Sequence, residues 1–480
     1  MTDRLDVVIV GAGVAGIAMA AQLERAGVSS YAIIERANAI GGTWRDNTYP
    51  GAGCDVPSHL YCFSFAPNPD WSRKFAEQEE ILAYLQSCVD RFGLRDKIRL
   101  STTVERAEFD ADGACWRIAT SGGAVEARFL IAGCGQLGRP WTPPLEGLDQ
   151  FEGTSFHSAR WNHDLDLNAL RIAVVGNGAS AIQFVPRIAP LAKHITVFQR
   201  SAHWIVPKPD RAYAGLEKWL FRRFPFFQRL HRQQIYWQLE ARFFAFQKGS
   251  AAGRYAKRMA RAELERVSDP ALRARLTPDY TVGCKRILIS NDYYETLERP
   301  NVSVETQPID RVHPAEITCG VANHPTDVII FATGFATTEF LAGLDIVAEG
   351  RRLHETWRDG AEAHLGITVS GFPNMFLLYG PNTNLGHNSI IFMIECQVRY
   401  IIKCLAKLKR RGGRSIEVRA DVQRRYNRGL QDSLGRLVWS ADCSSWYKDD
   451  AGRITNNWAS FAAGYWWHTR RVRISDFHVA

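Results

Sequence analysis

Two stretches of the chain share one hydrophobic pattern. Leu5 to Val10 is an apolar run that meets Gly11, and Leu170 to Val175 is an apolar run that meets Gly176; each is followed by a stretch with helical spacing. A short apolar run ending in a glycine turn and then a helix is how a parallel strand enters a dinucleotide-binding βαβ unit, so the pattern predicts two such units. Between them Phe129 to Cys134 reads as a late parallel strand, and GCGQLGRPWTPPLEGL after it reads as a domain crossing. Val328 to Phe335, VIIFATGF, is a second crossing strand. From about Tyr213 to Leu276 the texture changes: Phe, Trp, Arg and Lys are frequent, turn residues are few, and the spacing is mostly helical, as in an insertion within the second unit.

Composition narrows the class without naming a chemistry. At 480 residues, with roughly 150 residues per domain as a guide, two or three domains are expected. Apolar residues at 46% and charged residues at 23% describe an ordinary folded globular protein and exclude disordered, collagenous and coiled-coil chains. The formal charge of +9 suits nucleic acid, a membrane surface or small anions equally, and so selects none of them. Ten cysteines are scattered with neither a C-x-x-C pair nor zinc spacing, so no metal site and a reducing, intracellular setting are expected. MTDRLDVVIVGAG reads as a buried strand and not as a leader. No run reaches the roughly 18 apolar residues a spanning helix needs, so the cytoplasm is the expected location.

The glycine turns carry the first chemistry. Gly11-x-Gly13-x-x-Gly16 follows a strand, where absent side chains let the backbone turn tightly and approach a pyrophosphate at a helix N-terminus. Glu35, nineteen residues past Gly16 at the end of YAIIER, is placed to accept both hydroxyls of an adenosine ribose. The second turn reads Gly176-x-Gly178-x-x-Ala181, and nineteen residues further stands Arg200 in VFQR, a guanidinium suited to a phosphate. An acid at one site and a base at the other assign FAD to the first and NADPH to the second. Disulfide reductases share this plan but need a redox dithiol beside the flavin, and none stands at suitable spacing; the electrons are expected to go to oxygen.

Three further motifs carry a resemblance to the type I Baeyer-Villiger monooxygenases. Phe151-x-Gly153-x-x-x-His157-x-x-x-Trp161 resembles the family fingerprint, with Asn162 where the family usually has Pro or Asp. Gly41-Gly42-x-Trp44, Tyr49-Pro50-Gly51 and Asp55 resemble the pattern that wraps the flavin, and Ala332-Thr333-Gly334 resembles the linker back to the first domain. The likeness runs from Leu5 to the C-terminal SSWY segment.

The resemblance implies an α/β architecture with two Rossmann-like domains. The FAD domain would comprise residues 1–146 and 335–480, and the NADPH domain residues 147–334, with a helical insertion at about 207–280. It further implies cofactor contacts at Gly11, Gly13, Gly16, Glu35, Gly42, Thr43, Trp44, Asp55, Gly176, Gly178, Ser180, Arg200, Lys285 and Trp446. Arg286 in GCKRILIS would be the catalytic cation that stabilises a C4a-peroxyflavin, oriented by Asp55; Lys285 would join Arg200 on the 2′-phosphate, and Trp446 would close on the nicotinamide cofactor. His157 and Trp161 would lie in a linker, with His157 no base, and residues 380–389 (GPNTNLGHNS) would pass near the flavin ring. The implied reaction inserts one oxygen atom from O2 into a ketone to give an ester or lactone. Oxygenation of an amine or sulfide, and an NADPH-dependent flavin reductase or oxidase, are the alternatives. Partners are then a small ketone and O2, with no nucleic acid and no stable membrane insertion; the oligomeric state is left open.

Overall fold

The computed structural model describes residues 3–441, 443, 445–449 and 451–480; Ser444 of the SSWY segment lies outside them. Two sheets organise the chain, a larger mixed one and a smaller parallel one. In the larger, Asp3–Val10 lies between Tyr31–Ile34 and Gly123–Ala132, parallel to both, with Val7 opposite Tyr31 on one side and Phe129 on the other. Strands from far along the chain join this sheet: Asp345–Ala348 pairs with Val104–Asp110, and Met375–Leu377 pairs with Gly123–Ala132. Both chain ends therefore build one layer.

The smaller sheet has five strands among the described residues, in the order Val302–Glu305, His194–Phe198, Arg171–Val175, Val328–Phe331 and Thr154–His157. All four pairings are parallel. The central strands are near-continuous apolar runs because both faces are covered, one by helices and the other by Val312, Ile317 and Cys319 of a small antiparallel sheet, and Ile172, Val174, Ile195, Val197, Ile329 and Ile330 are buried. The fingerprint segment departs from the expected linker: Thr154–His157 is an edge strand, with His157 opposite Phe331.

The segment rich in Phe, Trp and Arg forms Gly215–Arg223, Pro225–Ala241, Ala251–Leu264 and Pro270–Arg275, four α-helices with few breakers inside. Local sequence sets their starts. Pro225 occupies the first turn, Ser250 accepts from the Gly253 N–H, and Asp269 accepts from the Ala271 N–H. Glu240 clamps the second of these helices to the C-terminal part of the chain. Its carboxylate accepts from Asn388 Nδ2 at 2.7 Å and from the N–H groups of Ala462 and Ala463 at 3.0 and 3.2 Å.

Candidate functional site

The two glycine turns face a single cavity of about 1090 Å³ between the sheets. At the first turn Gly11 has φ +102°, and a Cβ on Gly16 would lie 1.9 Å from the Gly11 carbonyl oxygen; only glycine lets the helix Val14–Arg25 sit this close to the turn. Gly13 and Gly42 meet backbone to backbone, since a Cβ on Gly42 would come within 3.2 Å of Gly13 Cα. Thr43 and Trp44 open the short helix after Gly42, and Trp44 Nε1 donates to Tyr61 Oη at 3.1 Å.

Glu35 stands just beyond its strand and is buried. It accepts from the Ala12 N–H at 2.8 Å and the Ala37 N–H at 3.0 Å, and pairs with Arg45 at 3.1 Å. These bonds fix the carboxylate at the cavity wall beside the first turn. The cradle of bare backbone with an anchored acid fits the adenosine and pyrophosphate of FAD.

The second turn repeats the geometry with opposite charge. A Cβ on Gly176 would lie 2.6 Å from the Ala332 oxygen, whereas one on Gly178 would meet nothing within 4 Å, so Gly178 leaves open space at the N-terminus of the helix Ala181–Ile188, before which Ser180 stands. Arg200 follows the strand His194–Phe198, and Lys285 donates to Ser201 Oγ at 2.7 Å. The Lys285 pKa is lowered, by burial first and then by the Arg200 charge. Two cations held together beside open backbone N–H groups fit the 2′-phosphate of NADPH.

Arg286 sits where the two halves meet. Its Nη2 donates to Asp55 Oδ2 at 2.5 Å, although the residues are 231 positions apart. The arginine side chain keeps 43% of its surface accessible against 18% for Asp55, and both line the cavity. Burial, the largest single influence, would lower the Arg286 pKa, but the charge and hydrogen bond of Asp55 together with Tyr447 and Cys54 outweigh it and the net shift is upward, so the guanidinium stays cationic. Burial pushes the Tyr447 hydroxyl and the Cys54 thiol up to about 12, which keeps these neighbours neutral.

Gly51, at φ +79°, explains the Tyr-Pro-Gly sequence: a Cβ there would lie 2.8 Å from the Gln183 oxygen in the helix of the second unit. Tyr49 Oη donates to Gln183 Oε1 at 2.9 Å, and Gln183 Nε2 donates to the Gly53 oxygen at 3.1 Å, so the Asp55 loop is fastened to the opposite sheet's helix. His157 is spent structurally. Its Nδ1 accepts from the Ala159 N–H at 3.1 Å, which leaves Nε2 to donate to the Gly334 oxygen at 3.0 Å, tying the fingerprint to the return linker. Burial lowers its pKa. Trp446 lines the cavity with its backbone oxygen held by Asn456 Nδ2 at 2.6 Å, and Asn384, Leu385, Gly386 and His387 bring the 380–389 segment to the same wall.

Two features escaped the sequence reading. His203, three residues past Arg200, lines the cavity with Nδ1 unpartnered and a pKa lowered to about 4 by burial and by Lys285. Cys284 and Cys443, 159 positions apart with Cα atoms 6.5 Å apart, form a disulfide, a pair that no local cysteine spacing announces. It joins the segment bearing Lys285 and Arg286 to the loop bearing Trp446.

A fold of two nucleotide-binding sheets sharing one cavity defines a flavoprotein oxidoreductase that uses a nicotinamide cofactor. Residues 8–235 match the pyridine nucleotide-disulphide oxidoreductase family model. A Baeyer-Villiger monooxygenase of Streptomyces coelicolor (strain ATCC BAA-471 / A3(2) / M145) is 42% identical over 482 residues, covering 99% of this chain and 93% of the relative. Among solved structures, an oxidized steroid monooxygenase bound to NADP superposes with a TM-score of 0.89 at 32% identity, covering 99% of both chains. OTEMO in complex with FAD and NADP superposes at 0.90 with 27% identity and full coverage of both. The chain belongs to the Baeyer-Villiger monooxygenases, and it is an FAD- and NADPH-dependent flavin monooxygenase.

Proposed function

We propose that Arg286, held by Asp55, is the reactive cation with which this enzyme oxygenates a small ketone to an ester or lactone. The observation that carries the reading is the 2.5 Å Arg286–Asp55 contact on the cavity wall between the two glycine turns. The overall balance is ketone, O2, NADPH and a proton in; ester, NADP and water out. FAD, when bound along Gly11, Gly13, Gly16, Glu35, Gly42, Thr43 and Trp44, supplies the electron transfer from NADPH and the activation of oxygen.

The protein's own residues hold and polarise. Gly176, Gly178, Ser180, Arg200 and Lys285 bind the nicotinamide cofactor by its phosphates, and Trp446 covers it. Asp55 fixes the guanidinium in one orientation, which removes the reorganisation that a free arginine would need when charge appears. Arg286 then stabilises the negative charge that builds on oxygen as the carbonyl is attacked. A permanently charged guanidinium does this at every physiological pH.

Residues 1–146 and 335–480 would form the FAD domain and residues 147–334 the NADPH domain, with the helical insertion at about 207–280 over the cavity. The cytoplasm is the proposed location; among the described residues no helix is long and apolar enough to cross a membrane. The test is Arg286→Ala: NADPH should still bleach the flavin, while ester formation falls by about a hundredfold or more, the scale of losing one fixed oxyanion donor. Normal ester yield from that variant would remove Arg286 from the mechanism.

A further inference from the structure

The helix Pro225–Ala241 is apolar on two sides. Its inner stripe, Ile235, Tyr236 and Leu239, is buried against the body of the protein. On the opposite side Phe226, Leu230 and Trp237 follow one another at helical spacing and are 62%, 49% and 60% exposed. The preceding helix Gly215–Arg223 continues the face with Leu216 at 75% and Trp219 at 53%. Scattered apolar residues on a surface need no explanation, but a contiguous face of Trp, Phe and Leu is a docking surface.

Charge selects the occupant. The acids of these two helices are both engaged: Glu217 is bound by Arg211 at 2.6 Å, and Glu240 is buried. Lys218, Arg223 and Arg229 are interleaved with the aromatics and have no acid partner among the described residues. A second copy docked by the same face would set these cations against their own images across a two-fold axis. A bilayer carrying anionic headgroups instead takes the Trp and Phe rings at its interface and neutralises the cations at its surface.

We propose that the outer face of Gly215–Arg223 and Pro225–Ala241 docks on an anionic lipid bilayer. The attachment is peripheral, with the rings at headgroup depth and no spanning element. Leu239, on the inner side of the same helix, lines the cavity, so docking places the cavity beside the membrane surface. The surface stands apart from the Arg286 centre, and its test does not depend on ketone chemistry.

The experiment is co-sedimentation of the FAD-loaded enzyme with vesicles of phosphatidylcholine alone and of equal parts phosphatidylcholine and phosphatidylglycerol, beside sedimentation velocity without lipid. The wild type should pellet with the anionic vesicles. F226S/W237S and R223Q/R229Q should each weaken partitioning on the order of tenfold or more while keeping flavin content and NADPH oxidation. No pelleting with anionic vesicles overturns the proposal, as does unchanged pelleting of both variants. A wild-type dimer that F226S/W237S converts to monomer overturns it as well, because a second copy then covers the face.

Discussion

Replacing Lys285 with Ala removes a cation whose Nζ lies 2.7 Å from Ser201 Oγ and whose pKa is already depressed by burial and by Arg200. A charge-assisted hydrogen bond to a phosphate contributes roughly 1.5–3 kcal/mol, so kcat/KM for NADPH should fall about 10- to 150-fold. NADH, which lacks the 2′-phosphate, should lose no more than about twofold in the same ratio. The like-charge pair adds a second, sharper expectation. Burial lowers the Lys285 pKa most and the Arg200 charge lowers it further, so Arg200→Gln should raise it and relieve the repulsion between the two cations. The single losses and the double-variant loss should therefore not add. The sign of the pH effect follows: Lys285 binds as a cation, so affinity for NADPH falls as pH rises through its lowered pKa, and in Arg200→Gln that limb moves to higher pH. Stopped-flow reduction of the flavin by each cofactor across pH measures all of this. Equal losses with NADH and NADPH would show that Lys285 does not touch the phosphate.

Buried imidazoles should make the fold acid-sensitive. His59, His203 and His364 have pKa values lowered from 6.5 to about 3, 4 and 4, chiefly by burial. Each is neutral in the fold and charged in the unfolded chain below pH 6.5, so its share of stability is full above that pH. Between pH 7 and 5 the loss should be about 2 kcal/mol per residue, and His59→Phe should flatten the fall in melting temperature; an unchanged pH profile in that variant would refute the assignment. In urea without reductant, thiol titration should find the eight free cysteines, and ten after reduction. Ten before reduction would disprove the Cys284–Cys443 bond.

Features written in local spacing were legible from the chain, and features made by distant contact were not. Gly11, Gly16 and Gly176 announce their turns because backbone approach at those positions excludes any Cβ, and the residue at each strand end states the charge its site requires. The places of Glu35 and Arg200 on the cavity wall are therefore readable, and so is the α/β class. The pairing of Arg286 with Asp55 spans 231 positions, and nothing periodic links them; only the likeness to the monooxygenases brought them together. The same reason hid Cys284 and Cys443, whose meeting depends on how the C-terminal loop crosses the strand end. His157 was expected in a linker and closes an edge strand, because its parallel partner Val328–Phe331 lies far along the chain.

The most direct test of the central claim is turnover of cyclic, linear and aryl ketones, with a sulfide in parallel, under isotopically labelled O2, following NADPH and product mass together. The account predicts a ketone that gains one labelled oxygen atom for each NADPH consumed. Sulfoxide alone, or hydrogen peroxide without an ester, would contradict it.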